Sequence, residues 1–156
     1  MLVQDEAATS KIFKTKGLVV KIINEDLPVA KWLFDNEVKF LSKLQDLNFV
    51  PGLYCADYPV LCLENCGEPI SKENAPKYFK TRMQAYINIL HDRDCYHNDI
   101  KPDNILVDQG KVKIIDFGWS TETEERPGWF PDVLGGDFKG DDDFESFEKV
   151  LEWLKN

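Results

Sequence analysis

The sequence has no apolar run near the ~18 residues that a membrane-crossing helix requires. Its start, Met-Leu-Val-Gln-Asp-Glu, also lacks the basic-then-apolar layout of a secretory leader. Neither a membrane partner nor export is expected, and the predicted setting is cytoplasmic. Positive charge is scarce: 19 Lys and Arg stand against 28 Asp and Glu, a net charge of −9. That balance weighs against affinity for nucleic acid phosphates or anionic lipid. It fits a basic partner or simply a solvated acidic surface. Four cysteines, Cys55, Cys62, Cys66 and Cys95, show no C-x-x-C spacing. Neither a zinc site nor a disulfide framework is indicated, and reduced thiols are expected. Internal repeats, low-complexity tracts and Gly/Ser- or Pro-rich linkers are missing too. What remains is a 156-residue chain, 43% hydrophobic, with ten Phe and four Trp. It can bury one moderate core, or two small ones sharing a cleft.

The first part reads as strands. Residues 10–15 and 18–23 are short runs joined at Lys16-Gly17, as in a hairpin. In the second run Val19, Lys21 and Ile23 share one face, so Lys21 is a charge set inside an apolar strand. A helix is predicted over residues 28–45, with Leu33, Glu37, Leu41 and Leu44 on one stripe. A carboxylate in an apolar stripe needs a partner or a shifted pKa, and Lys21 has the mirror-image problem. Pairing Lys21 with Glu37 solves both; the alternative is that each reaches solvent separately. Two more strands are predicted over residues 53–56 and 60–63, then a loop over 64–71. A second helix, residues 76–91, carries Phe79, Met83, Ile87 and Leu90 on one face.

Beyond it stands His97-Asn98-Asp99-Ile100-Lys101-Pro102-Asp103-Asn104-Ile105-Leu106, a turn at Gln109-Gly110, then Val112-Lys113-Ile114-Ile115-Asp116-Phe117-Gly118. Two acids and an amide around a short apolar hairpin suit Mg²⁺, which prefers one or two carboxylates plus substrate phosphates. A lysine two residues beyond an acid can offset charge on a transferring phosphoryl group.

The whole string resembles the catalytic loop H-R-D-x-K-x-x-N and the D-F-G of eukaryotic-type protein kinases, in order and separation. That resemblance implies an α+β, two-lobed fold with ATP in the cleft. Residues 1–66 would form a small antiparallel-sheet lobe with one helix and the hinge, and residues 67–156 a truncated helical lobe of the same single domain. It implies that Lys21 holds the α- and β-phosphates of ATP, braced by Glu37. Glu64 and Cys66 would meet the adenine edge through their backbone, with Leu63 as gatekeeper. Ile12, Val19 and Leu106 would sandwich the ring. Asp99 becomes the catalytic base, Lys101 the stabiliser of the γ-phosphoryl group, and Asn104 and Asp116 the Mg²⁺ ligands. His91 matches the histidine that ends the long helix. Phe130 to Gly136 reads as a variant of the A-P-E region. Asp143-Phe144-Glu145-Ser146-Phe147 is similar to the D-L-E-S-L start of the central helix in the casein-kinase group, with Asp143 anchoring the catalytic loop.

Three departures stand out. Residues 5–12 align with the G-x-G-x-x-G-x-V phosphate loop yet contain no glycine, and Asp5 and Glu6 would repel a triphosphate. Weak nucleotide affinity is expected. Asn98 replaces the arginine that usually pairs with a phosphorylated activation loop, so activation by phosphorylation is not expected. The helices that follow the central helix of a full kinase are missing. Residues 144–154 place Phe147, Val150, Leu151 and Leu154 on a stripe extended by Phe144 and Trp153. A homodimer or a partner docked on this C-terminal helix is expected, unless residues 124–139, with Trp129, Phe130 and Phe138, fold back over it. Lys101, two residues after Asp99, favours a serine/threonine protein kinase with a protein substrate, and Trp119 after D-F-G would, by resemblance, lean towards serine. The alternatives are a kinase acting on a glycan or small-molecule acceptor, and a pseudokinase binding module.

Overall fold

A computed structural model describes residues 3–6, by their backbone, and 9–156. Five antiparallel strands form the first sheet: β1 (Val3–Glu6), β2 (Ser10–Lys14), β3 (Leu18–Ile23), β4 (Leu53–Asp57) and β5 (Val60–Glu64), in spatial order β1-β2-β3-β5-β4. The hairpin at Lys16-Gly17 is present, closed by the Thr15 amide on the Leu18 carbonyl at 2.8 Å. The glycine-free stretch is not a loop throughout, as its alignment suggested. Its ends are strand, with Asp5 opposite Ile12 and Glu6 opposite Lys11. Ala7 and Ala8, and the side chains of Asp5 and Glu6, lie outside the described residues.

Helix α1 (Ala30–Lys43) packs beneath this sheet. It is shorter than predicted at both ends. No side chain caps its start, and beyond its end Gln45 serves as a staple. The Gln45 amide donates to Leu41 O at 3.1 Å and Pro51 O at 3.0 Å, and its oxygen accepts from the Leu53 amide. One side chain thus satisfies a helix-end carbonyl and ties α1 to the start of β4.

The second half is mainly helical. Helix α2 (Phe79–Asp92) starts three residues later than predicted, because Tyr78 sits at φ 67°, a left-handed conformation a helix cannot continue through. Strand β6 (Glu68–Pro69), unforeseen because two residues carry no pattern, adds to the hairpin β7 (Ile105–Asp108) and β8 (Lys111–Ile114). Gln109 (φ 49°) and Gly110 (φ 79°) give that hairpin a two-residue turn whose twist suits the flanking strands. Helix α3 (Asp143–Lys155) is capped by the Asp142 carboxylate, which accepts the Glu145 amide at 2.8 Å.

A continuous core runs from Phe40, Leu41 and Leu44 of α1 through Leu61 to Met83, Ile87 and Leu90 of α2, Ile105, Phe117 and Phe147. Residues 124–139 divide their aromatics instead of covering α3 together. Phe138 meets Trp153 edge-on at 6.0 Å, whereas Trp129 and Phe130 turn to α1. Trp153 keeps 46% of its surface exposed.

Phe147 is 1% exposed and meets Phe79 edge-on at 5.6 Å. Phe147→Ala is expected to cost about 3–5 kcal/mol of stability, the usual range for emptying a buried aromatic site. Trp153→Ala should cost about 1 kcal/mol or less, because half its ring is already wet. Urea denaturation midpoints of the two variants check this order.

Candidate active site

Lys21 stands on the inner face of β3, and Glu37 lies mid-α1 on the stripe facing it. The lysine Nζ donates to Glu37 Oε1 at 2.8 Å and lies 3.3 Å from Asp116 Oδ1. Of the two outcomes open from sequence, pairing is the one realised. Burial alone would lower the Lys21 pKa, but Asp116 and then Glu37 more than offset it and the net direction is up. Burial raises Glu37, with Lys21 opposing. Burial also disfavours the Asp116 carboxylate, yet Lys21 and His97 hold its pKa below the usual range. Asp116 keeps 28% of its side chain exposed. Its backbone sits at φ 64°, uncommon for a residue other than glycine and mildly strained.

The backbone leading into Asp99 is held from below by one carboxylate. Asp143, at the start of α3, accepts the backbone amides of His97 and Asn98, both at 2.8 Å, and faces His91 Nε2 at 2.8 Å. The desolvation penalty of this buried acid is outweighed, first by the His91 hydrogen bond, so its pKa is lowered. His97 is fixed on both nitrogens. Its Nδ1 accepts the Asp99 amide at 3.1 Å, so Nε2 must carry the hydrogen that meets Ile115 O at 2.8 Å. The ring also packs edge-on against Phe117 at 5.0 Å, joining the catalytic loop to the residue after Asp116.

Asp99 is 3% exposed. The Asn104 amide donates to its carbonyl at 2.8 Å and to Oδ2 at 3.1 Å. Oδ1 has no hydrogen-bond partner, with Lys101 Nζ 3.6 Å away. Burial, then the repulsion of Asp116, pushes its pKa up to about 6, against the opposing pull of Lys101, His97 and Asn104. An underbonded carboxylate with that pKa is poised to accept a proton near neutral pH.

A cleft of about 520 Å³ opens between the two sheets. Ile12, Val19, Lys21, Glu37, Glu64, Cys66 and Leu106 all line it, as do Lys101, Asn104 and Asp116. Asp99 lies just behind that lining, reached through Asn104 and Lys101. Glu64 also reaches away from the cleft, where Lys113 Nζ pairs with both carboxylate oxygens at 2.8 and 2.9 Å. Gly67 (φ 107°) follows Cys66, and a Cβ there would sit 2.2 Å from Val107 O. Only glycine lets the connection between the sheets press this closely on β7. Among the described residues no cluster of three His, Cys, Asp or Glu could hold a metal alone. The Asn104 Nδ2 is committed to Asp99, which leaves its oxygen, with the ionised Asp116, as donors. One carboxylate and one amide oxygen fit Mg²⁺, which keeps waters and takes phosphate oxygens.

Two residues were missed as structural parts of this site. Asn36, beside Glu37 on α1, donates its amide to Gly118 O at 2.9 Å and Ser120 O at 2.8 Å. Asn98 donates to Trp119 O and Thr121 Oγ1, both at 2.9 Å. Trp32, one turn before Asn36, centres an aromatic group with Trp119, Trp129 and Phe130, at ring distances of 6.0, 4.8 and 5.6 Å. Residues 118–134 are therefore tied to α1 by both amide and ring contacts. A polar residue adjoining Glu37 was the only sequence signal for Asn36. The aromatic group pairs residues about 90 positions apart, which no local pattern reveals.

The protein kinase domain family matches residues 14–137. The chain belongs to the protein kinase family. It is similar to CBL-interacting serine/threonine-protein kinase 26 of Arabidopsis thaliana, 42% identical over 60 residues, 38% of this chain and 13% of the relative. Similarity to serine/threonine-protein kinase mph1 of Schizosaccharomyces pombe extends over 117 residues at 28% identity, 64% of this chain and 17% of the relative. Cyclin-dependent kinase-like 4 of Homo sapiens is 31% identical over 126 residues, 69% of this chain and 33% of the relative. The chain thus spans a third or less of the length of these relatives. Helix α3 lies beyond the matched residues, so the placement of Asp143 rests on its hydrogen bonds.

The raised pKa of Asp99 has a consequence for stability. Above about pH 6 its folded carboxylate is ionised at a cost that the unfolded chain, with a pKa of about 3.9, does not bear. That penalty fades as pH falls through 6 and is gone below about 4. Asp99→Asn is therefore expected to stabilise the fold by up to about 3 kcal/mol at pH 7.5 and by less than about 1 kcal/mol at pH 4. Denaturant titrations of both proteins at the two pH values measure the difference.

Proposed function

We propose that this chain is an ATP- and Mg²⁺-dependent phosphotransferase acting on serine or threonine hydroxyls of a protein. The observation that carries the reading is the convergence on one cleft of Lys21 paired with Glu37, the ionised Asp116, and Asp99 bonded by Asn104. Lys21 would fix the α- and β-phosphates, and its pairing with Glu37 keeps the ammonium in place. Asn104 and Asp116 would hold Mg²⁺, which would neutralise charge on the phosphates. Asp99 would orient the acceptor hydroxyl and take its proton as the oxygen meets the γ-phosphorus. Lys101 would offset charge on the transferring group. Ile12, Val19 and Leu106 would hold the adenine ring, with the backbone of Glu64 and Cys66 at its edge. Support for a serine or threonine acceptor comes from Lys101, two residues after Asp99, and from the printed names of the relatives from Arabidopsis thaliana and Schizosaccharomyces pombe.

The test is incubation with labelled ATP and Mg²⁺ against generic proteins, peptides and sugars. Label is expected on protein; label on sugar alone, or on nothing, overturns the reading. Asp99→Asn should keep nucleotide binding and lose transfer by about 10²–10⁴-fold. Asp116→Asn should abolish the Mg²⁺ dependence of nucleotide binding. Equal ATP affinity with and without Mg²⁺ in the unsubstituted protein would remove Asn104 and Asp116 from the metal role. In the unsubstituted protein, transfer should rise with pH through about 6 as Asp99 loses its proton.

Activity is also expected to need no phosphate on residues 118–125. Asn98 already bonds Thr121 Oγ1, and a phosphate there would meet Glu122, Glu124 and Glu125. Phosphatase treatment should leave the transfer rate unchanged; a several-fold fall would show that a phosphate is part of the active form.

A further inference from the structure

Strands β4 and β5 do not pair in simple register. Leu53 opposes Leu63, but the ladder then slips at a bulge and brings Cys55 opposite Cys62. Residues directly opposed in an antiparallel pair have Cα atoms about 4.5–5.5 Å apart, inside the ~4.4–6.8 Å that a disulfide spans. The unpaired residue at a bulge lets the strand bend locally, which eases the remaining adjustment. The neighbouring Cys55 side chain raises the Cys62 thiol above its usual pKa, and burial adds to it. Cys55 is exposed and Cys62 half-buried. The other two cysteines are sequestered. Burial pushes the Cys66 and Cys95 thiols up to about 12, which leaves almost no thiolate at neutral pH.

We propose that Cys55 and Cys62 form a thiol-pair modification site, which a peroxide converts into an intramolecular cross-strand disulfide. The exposed Cys55, as thiolate, attacks one peroxide oxygen. The O–O bond breaks, one water leaves after protonation, and Cys55 becomes a sulfenic acid. The Cys62 sulfur then attacks the Cys55 sulfur. The S–S bond forms as the S–O bond breaks, and the hydroxide takes up the Cys62 proton as a second water. Two thiols are oxidised and one peroxide is reduced to two waters. A dithiol reductant reverses the product. The cross-link pins β4 to β5 one residue before Leu63, which lines the cleft on the other face of the sheet.

The experiment uses the full chain, reduced and then exposed to hydrogen peroxide, quenched, unfolded and alkylated. The expected product is monomeric, has lost two hydrogens, takes alkyl groups only at Cys66 and Cys95, and yields a linked peptide joining Cys55 to Cys62. Dithiothreitol restores four alkylation sites. Cys55→Ser, a change on the exposed surface, should abolish the mass loss and leave Cys62 alkylatable. Cys62→Ser should instead trap a sulfenic acid at Cys55, captured by dimedone. A Cys55 sulfinic acid with Cys62 still free in the unsubstituted chain, or a disulfide joining two chains through Cys55, would overturn the proposal.

Discussion

One ammonium group, Lys21 Nζ, lies between two carboxylates that come from opposite directions: Glu37 from α1 and Asp116 from the end of β8. Removing the lysine would leave both carboxylates without their shared counter-charge, which costs about 3–5 kcal/mol. That cost constrains three elements at once. Strand β3 must present Lys21 inward, α1 must lie close enough for Glu37 to reach, and the chain after β8 must turn back at Asp116 even though its backbone then sits in a left-handed conformation. Salt bridges of this kind add little net stability relative to apolar packing. Their effect is to select one arrangement of sheet, helix and loop over others that would bury the same apolar area.

The second fixed point is Asp143. By accepting two consecutive amides it orders the peptide units leading into Asp99, and His97 carries the constraint onward to Ile115, next to Asp116. Asp99 itself is less well satisfied: its Oδ1 is buried without a hydrogen bond. The fold therefore spends stability at the one carboxylate that the proposed mechanism asks to take a proton. That pattern is expected of a functional acid; Asp143, whose oxygens are all bonded to backbone amides and His91, has its pKa lowered instead.

Much of this was legible because the relevant residues break local patterns or stand contiguous. Lys21 and Glu37 announce themselves as charges in apolar stripes, and Asp99 to Asp116 lie within one short hairpin region. Cys66, Glu64, Ile12, Val19 and Leu106 could be assigned to the cleft only through resemblance, since nothing in their own spacing brings them together. The misses have physical causes. Strand β1 is short and acidic, and it exists by pairing with β2. Strand β6 is two residues long. The late start of α2 depends on one left-handed backbone at Tyr78, and the early end of α1 on the use of Gln45 as a staple. The division of residues 124–139 between α1 and α3 depends on which aromatic surface each ring meets in three dimensions.

The segment after Asp116 joins these threads. Three consecutive carbonyls, those of Gly118, Trp119 and Ser120, are taken up by two asparagine side chains. Asn36 on α1 binds the outer two, and Asn98 in the catalytic loop binds the middle one. Each amide is buried or half-buried, so water competes poorly for these bonds, which hold the segment from both sides. The rings around Trp32 add apolar contacts worth about 0.5–1.5 kcal/mol each. Asn36 is the neighbour of Glu37, and Asn98 the neighbour of Asp99. Any shift of the segment therefore strains the lysine pair through α1 and Asp99 through its own loop. In this arrangement two neutral amides order the segment by direct bonding to its backbone, and the Asn98 oxygen that remains faces Arg126 Nε at 3.4 Å.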